Sequence, residues 1–481
     1  MQKKKGFLFV LKIFFVPLQV VTLRLLLLTA LIYCTTLSAG NVEKVKNPNG
    51  RHIVYRLFLA DKQGTPFSFD RPEEFLSQKA IYRRERQHLA LDSTDLPIAP
   101  QYLQQIRATG VEIISKSKWN NSVLVRSHRH EALRKAQRLP FVREYKYVMT
   151  GPDSLEAKPH RMVYHKEFTR WDTITTSEYG VTTHQTDMLG GRRLHYQGFR
   201  GKGMTIAVMD GGFMNADAIP SLMRANVVGT ADLVFPKSDN IFRETDHGTM
   251  VFSTMAVNEP DHFIGTAPEA SYWLIRCEDT QTESSAEEDF WAAAAEFADS
   301  VGVDVINSSV GYYRFDEKNT NYRYRQQDGQ TALISRTASM LAQKGILLVN
   351  SVGNEGMGPW KRINFPSDAR DILTVGAVSA DGANAAFSSI GPTADGRIKP
   401  DVMALGSPAS VVNGRGTISK NVGTSFAAPQ VAGLAACLWQ ARPNLSVIEL
   451  IDIIRRSASQ ADYPDNIMGY GIPNFYQAYK R

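Results

Sequence analysis

Five short apolar runs in the C-terminal part of this chain limit its fold more than any other feature. They are "MTIAVMD", "SYWLIRC", "VDVINSSV", "ILLVNSVG" and "ILTVGAVS". Each ends in a polar or glycine-rich turn. Helical stretches such as "AEEDFWAAAAEFADSV" and "TALISRTASMLAQKG" lie between several of them. Strands without polar alternation, separated by helices, imply an α/β architecture: a parallel sheet with helices on both faces. In such sheets ligands sit beyond the carboxyl ends of the strands, so the polar residues there are the ones to inspect.

The chain has 481 residues, too many for one small core. With 43% hydrophobic and 21% charged residues it is not a disordered chain. The net charge of +7 invites a nucleic-acid reading, but Lys3, Lys4, Lys5, Lys12 and Arg24 supply five of those charges within an acid-free leader. No long basic run remains elsewhere, and no nucleic-acid partner is expected. The leader, residues 1–39, has a basic start, apolar runs and small residues before Ala39, which reads as an export signal cleaved after Ala39. The alternative is a retained anchor, although Arg24 splits the apolar region and Pro17 interrupts it. Beyond Cys34 only Cys277 and Cys437 remain, which makes no disulfide framework; both read as small buried apolar residues.

Residues 40–148 have a different texture. "RHIVYRLFLA" reads as a strand and "RPEEFLSQKAIYRRERQHLA" as a charged helix. "VEIISKSKWNNSVLVRS" reads as two strands joined near Asn120 and Asn121, "HEALRKAQRLP" as a helix and "FVREYKYV" as a strand. The order β-α-β-β-α-β predicts a small α+β, ferredoxin-like unit. Residues 149–185 lose this periodicity and read as a linker, followed by the main unit over 186–481.

Four polar residues stand where the chemistry of such a sheet belongs. Asp210 ends "MTIAVMD" and is followed by two glycines; by itself Asp-Gly is a common turn pair. His247, in "DHGT", precedes an apolar helix, and a neutral imidazole suits proton transfer near pH 7. Asn354 follows an apolar strand in "VGNEG", where its amide N–H can donate to an oxyanion, although a turn asparagine is the plainer reading. Ser425, in "GTSFAAPQVAG", stands just ahead of a helix; a cap explains a hydroxyl there, but not the company of Gly423, Ala427, Ala428 and Pro429. Pro429 is expected near the first turn, where its missing N–H costs little. The free N–H groups of a helix start favour developing negative charge. A hydroxyl becomes a useful nucleophile when a base takes its proton and a carboxylate supports that base.

Together these motifs resemble the subtilisin-like serine proteases. Supporting matches are "VINSSVG", "FPSDARDILTVGAV", "FSSIGPTADGRIKPDVMALG" and "GYGIPN", so the resemblance covers about Gly201 to Asn474. It implies that Ser425 attacks a peptide carbonyl, His247 takes and returns the proton and Asp210 supports His247. Asn354 and the Ser425 backbone N–H would hold the oxyanion. It further implies that substrate adds as a strand to Ser309, Val310 and Gly311, with Tyr312 and Asn364 shaping the first pocket. One departure is notable: Asp210 is followed by Gly211, where many relatives carry Ser or Thr.

The resemblance also gives the upstream unit a role. It would be a propeptide that assists folding and inhibits the enzyme until it is cut away between Met149 and Gln185. The expectation is then an extracytoplasmic serine endopeptidase (periplasmic, cell-surface or secreted), made as a self-inhibited zymogen and acting on peptides or proteins. A membrane is involved only through an uncleaved leader. The chemistry requires no cofactor and no catalytic metal, and structural calcium is left open. The alternatives are a catalytically idle binding protein of the same fold, and a dedicated processing protease with one substrate.

Overall fold

The computed structural model describes residues 51–152 and 177–481 apart from Lys237 and Asp239. The expected leader, its cleavage point after Ala39, Cys34 and most of the expected linker lie outside the described residues.

The N-terminal domain is built on β1 (Arg51–Leu59), β2 (Glu112–Ser117), β3 (Ser122–Ser127) and β4 (Val142–Pro152), in the order β2-β3-β1-β4. β1 is central and antiparallel to both β3 and β4. This is the ferredoxin-like arrangement expected. β2 and β3 turn back on each other at Asn120–Asn121, and Asn121 takes a left-handed conformation (φ 47°) suited to asparagine. β4 runs through Pro152 and so continues past Met149, where the linker was expected to begin.

The helical part of this domain differs from expectation. The single charged helix expected between β1 and β2 is replaced by two helices with distinct duties. α1 (Gln78–Arg86) is capped by Ser77, whose hydroxyl accepts from the Ala80 N–H. α2 (Pro100–Ala108) buries Tyr102, Leu103 and Ile106 in the same core as Leu57, Val123 and Val125. α2 is therefore the helix that completes the small core, together with α3 (His130–Gln137). α1 instead turns buried Arg83 and Arg84 toward the C-terminal domain. A charged helix pattern does not reveal this, because the acid that receives those arginines lies far along the chain.

The C-terminal domain is a seven-stranded parallel sheet. Its strands are β5 (Thr205–Asp210), β6 (Asn226–Asp232), β7 (Ser271–Arg276), β8 (Val305–Ser308), β9 (Leu347–Ser351), β10 (Leu373–Ser379) and β11 (Val402–Ser407). The order is β11-β10-β9-β8-β5-β7-β6, with every neighbouring pair parallel. Both faces are covered. Ile206 and Val208 of β5 point into one core with α4 (His247–Ala256) and α7 (Thr424–Ala441), while Ala207 and Met209 point into the other with α5 (Glu287–Val301) and α6 (Leu333–Met340). Burial on both faces is why these strands read as unbroken apolar runs.

The two domains meet across α5. Two backbone N–H groups of the β2–β3 turn, Lys118 and Trp119, donate to the Glu296 carboxylate at 2.8 and 3.0 Å. Arg56 on β1 clasps Asp289 with its Nε 2.9 Å from either carboxylate oxygen. Arg84 lies 3.0 Å from Asp299, Arg83 pairs with the same carboxylate, and Arg83 Nη1 also donates to the Val303 carbonyl at 2.7 Å. Lys344 reaches back from the C-terminal domain to Asp95 at 2.9 Å. All of these charged side chains are buried. Burial pushes Asp299 up, but Arg83 and Arg84 outweigh it and hold the carboxyl below the usual range.

Candidate active site

Asp210 is the last residue of β5, and its side chain is almost wholly buried. The N–H of Gly211 donates to its Oδ1 at 2.8 Å. His247 is the first residue of α4, and the Thr245 hydroxyl accepts from its backbone N–H at 3.2 Å. The helix can start this close to β5 because Gly248 has no side chain; a Cβ there would lie 2.9 Å from Cβ of Asp210 and also meet the Gly212 carbonyl. The imidazole Nδ1 sits 2.9 Å from both oxygens of Asp210. An ionised carboxylate only accepts, so Nδ1 carries the proton and Nε2 is left facing the rest of the site. Burial pulls the imidazole down, yet the charge and hydrogen bond of Asp210, with Glu278 and Asp246 behind them, lift it to about 9.

Ser425 lies inside the first turn of α7 rather than ahead of it; the N-cap is Gly423. The residue after it, Phe426, packs its ring 5.7 Å from the His247 ring, which sets the imidazole beside this turn. The Ser425 hydroxyl donates to the Ser309 carbonyl at 3.2 Å. Ser309 returns a bond from its own hydroxyl to the Ser425 carbonyl at 3.0 Å. Pro429 explains that return. It is the sixth residue of the helix rather than a first-turn residue, and its absent N–H would have served the Ser425 carbonyl. Ser309 supplies the missing donor.

Asn354 projects, exposed, from the turn after β9. Its Oδ1 accepts from the Thr424 N–H at 3.0 Å and the Thr424 hydroxyl at 3.1 Å. That fixes the amide with its NH2 group free to donate elsewhere. Thr424 also receives the Gly353 N–H at 3.3 Å, so one side chain ties the asparagine turn to the serine turn. Sequence reasoning passed over Thr424, although its place between Gly423 and Ser425 was the available signal.

Ser309, Val310 and Gly311 continue from the end of β8 toward this cluster. Tyr312 and Phe365 exchange backbone bonds of 2.8 and 2.9 Å, which places Asn364 against Gly311. The Asn364 side chain lies between Gly311 and Gly353, and its Oδ1 is buried without a hydrogen-bond partner among the described residues. Tyr312 turns its hydroxyl away, onto Glu278 and Glu287. Cys277 and Cys437 are both free and buried. Among the described residues no group of three or more His, Cys, Asp or Glu side chains is placed to hold a metal ion.

Residues 201–471, more than half of the chain, match the model of the subtilase family of S8 peptidases. The chain is a subtilase. Residues 54–162 match the S8 propeptide domain described from Bacteroidota, so the N-terminal domain of this subtilase is its propeptide. The chain is 28% identical over 340 residues to subtilisin NAT of Bacillus subtilis subsp. natto, covering 68% of this chain and 80% of that protein. It is 30% identical over 281 residues to a subtilisin of Bacillus pumilus, covering 58% of this chain and 90% of the relative. It also resembles alkaline elastase YaB of a Bacillus strain, at 27% over 308 residues, covering 64% of this chain and 71% of that protein. This subtilase is a serine endopeptidase formed as a zymogen, with peptides as its substrates.

Proposed function

We propose that Ser425 is the nucleophile of this endopeptidase, with His247 as its general base and Asp210 as the carboxylate that orients and charges the base. The observation that supports this most is the two-pronged Asp210–His247 contact at 2.9 Å, which engages Nδ1 and leaves Nε2 without a bond among the described residues, on a ring beside the turn that carries Ser425. A change of Ser425 rotamer releases its hydroxyl from Ser309 and offers it to Nε2. The Ser425 oxygen then attacks the peptide carbonyl as its proton passes to His247. The oxyanion is held by the Asn354 NH2 group and the Ser425 N–H. Collapse expels the amine, which takes the proton from His247, and water hydrolyses the ester by the same route in reverse.

Substrate pairs as a strand with Ser309, Val310 and Gly311, which leaves sequence preference to the side-chain pockets. Asn364, wedged between Gly311 and Gly353, lines the first of them. The leader over residues 1–39 directs export, residues 40–148 act as inhibitor and folding aid, and processing falls within residues 149–185. A fluorophosphonate probe should label Ser425 in the processed protein. Ser425→Ala should keep the fold, take no label and retain the propeptide. Unlabelled Ser425 in correctly folded, processed protein would favour the idle binding protein instead.

A further inference from the structure

Tyr312 has one hydroxyl proton and two carboxyl neighbours. Its Oη lies 2.8 Å from Oε1 of Glu278 and 3.3 Å from Oε2 of Glu287. It can donate to only one of them, so if both bonds are made the other carboxyl must carry a proton and donate to Oη. Glu287 is that group. It is 1% exposed, no cation among the described residues pairs with it, and burial followed by the charges of Glu278, Glu283 and Asp279 pushes its carboxyl well up. With the proton on Glu287, the bonds run from Glu287–OH to Tyr312 and from Tyr312–OH to Glu278, whose carboxyl is pushed up to about 7 and is the one of the two that ionises first. Burial and Asp210 also push Glu278 up, while the Tyr312 bond and His247 oppose them.

Glu278 lies two residues past the end of β7, where the Cys277 N–H donates to the Asp210 carbonyl at 2.9 Å. Its second oxygen packs beside Gly211. A Cβ on Gly211 would lie 3.4 Å from Oε2 of Glu278, 3.4 Å from Cγ2 of Thr245 and 2.9 Å from Cγ2 of Thr280. The glycine after Asp210, which departs from the family pattern, thus packs against this carboxylate and against Thr245, whose hydroxyl accepts from the His247 N–H. Other charges nearby are committed elsewhere. Arg276 is 3.5 Å from Asp232 and 3.4 Å from Glu244, Asp246 accepts from the Gly414 N–H, and Asp316 accepts from the Glu283 N–H.

We propose that Glu278 is a positioning residue: a second carboxylate, held by Tyr312, that acts through His247 by favouring its cationic form during catalysis. The inference rests on His247 being the general base. Removing a negative charge beside an imidazole makes it a weaker base. Glu278→Gln in mature enzyme should therefore move the acid limb of kcat/KM down by roughly half to one pH unit, and lower the plateau about 3–10-fold. Tyr312→Phe should move the limb the same way by less, and it tests the chain of bonds if Glu278→Gln fails to fold.

A second measurement needs no turnover. In full-length Ser425→Ala protein, the proton-NMR titration midpoint of His247 should fall when Glu278→Gln is added. An unchanged midpoint and an unchanged acid limb in folded variants would overturn the proposal. If Ser425→Ala protein still hydrolysed peptides, the triad reading would fail instead, and the NMR result would stand apart from it.

Discussion

Buried carboxylates along α5 are handled in opposite ways, even within one turn. At Asp289, Glu296 and Asp299 the acids meet propeptide partners: Arg56 on Asp289, two backbone N–H groups on Glu296, and Arg83 and Arg84 on Asp299. At Glu287, in the same first turn as Asp289, the acid meets a tyrosine and other acids, and burial with those acids pushes its carboxyl well up. Those arginines and N–H donors stabilise the first group only while the propeptide is attached. The second group lies wholly within the catalytic domain and survives processing unchanged. One helix thus carries a removable interface with the propeptide and a permanent cluster of acids around Tyr312, and the difference sets what each can control: retention of the inhibitor, or the chemistry of the site.

The largest expected effect breaks the ionic side. Asp299→Ala leaves Arg83 and Arg84 buried without that carboxylate, and removing one partner of a buried pair costs about 3–5 kcal/mol. Unprocessed Ser425→Ala protein should lose about that much stability on adding Asp299→Ala, as read by denaturant unfolding. The propeptide's hold on the catalytic domain should weaken by roughly 10²–10⁴-fold. The mature domain, in which Asp299 is freed from its arginines, should change little. Equal losses in both forms would mean that Asp299 serves the catalytic core rather than the interface.

Next in size is Asn354→Ala, which strikes the site and spares the interface. The loss already established for the oxyanion asparagine of a subtilisin is roughly 10²–10³-fold in kcat, and the same range is expected here. Propeptide retention should be untouched, because Asn354 bonds only to Thr424 among the described residues. A loss confined to KM would place Asn354 in substrate binding instead.

How much of this was legible follows from where each residue's partners lie. The apolar runs of β5, β7, β8, β9 and β10 could be read because both faces of those strands are buried. β6 could not: it is an exposed edge strand, and "NVVGTAD" carries no apolar run. Asp210, His247, Asn354 and Ser425 stood out because each belongs to a local motif at an element end. The bonds made by Arg83, Arg84, Glu278 and Ser309 were hidden because their partners are supplied by tertiary contact. The α1 arginines looked like a solvated helix face until Asp299, more than 200 positions later, was folded onto them. Pro429 was noticed in the sequence, but its consequence, the Ser309 bond to the Ser425 carbonyl, needed the fold.

The smallest expected effect is the sharpest test of the comparison. Glutamine has nearly the shape of a protonated glutamic acid, and its NH2 can donate to Tyr312 Oη as the acid's O–H does. If Glu287 already carries its proton, Glu287→Gln replaces one neutral donor with another. Stability should change by no more than about 0.5 kcal/mol, roughly 1–2 °C in Tm for a domain of this size. The acid limb of kcat/KM should stay in place. The same exchange at Asp289, Asp289→Asn, removes a charge that Arg56 grips and should destabilise the precursor far more. A loss of about 3 kcal/mol or more for Glu287→Gln would make Glu287 the anion of the pair and Glu278 the protonated member. The carboxylate beside Asp210 would then be neutral, and its proposed hold on His247 would fall with it.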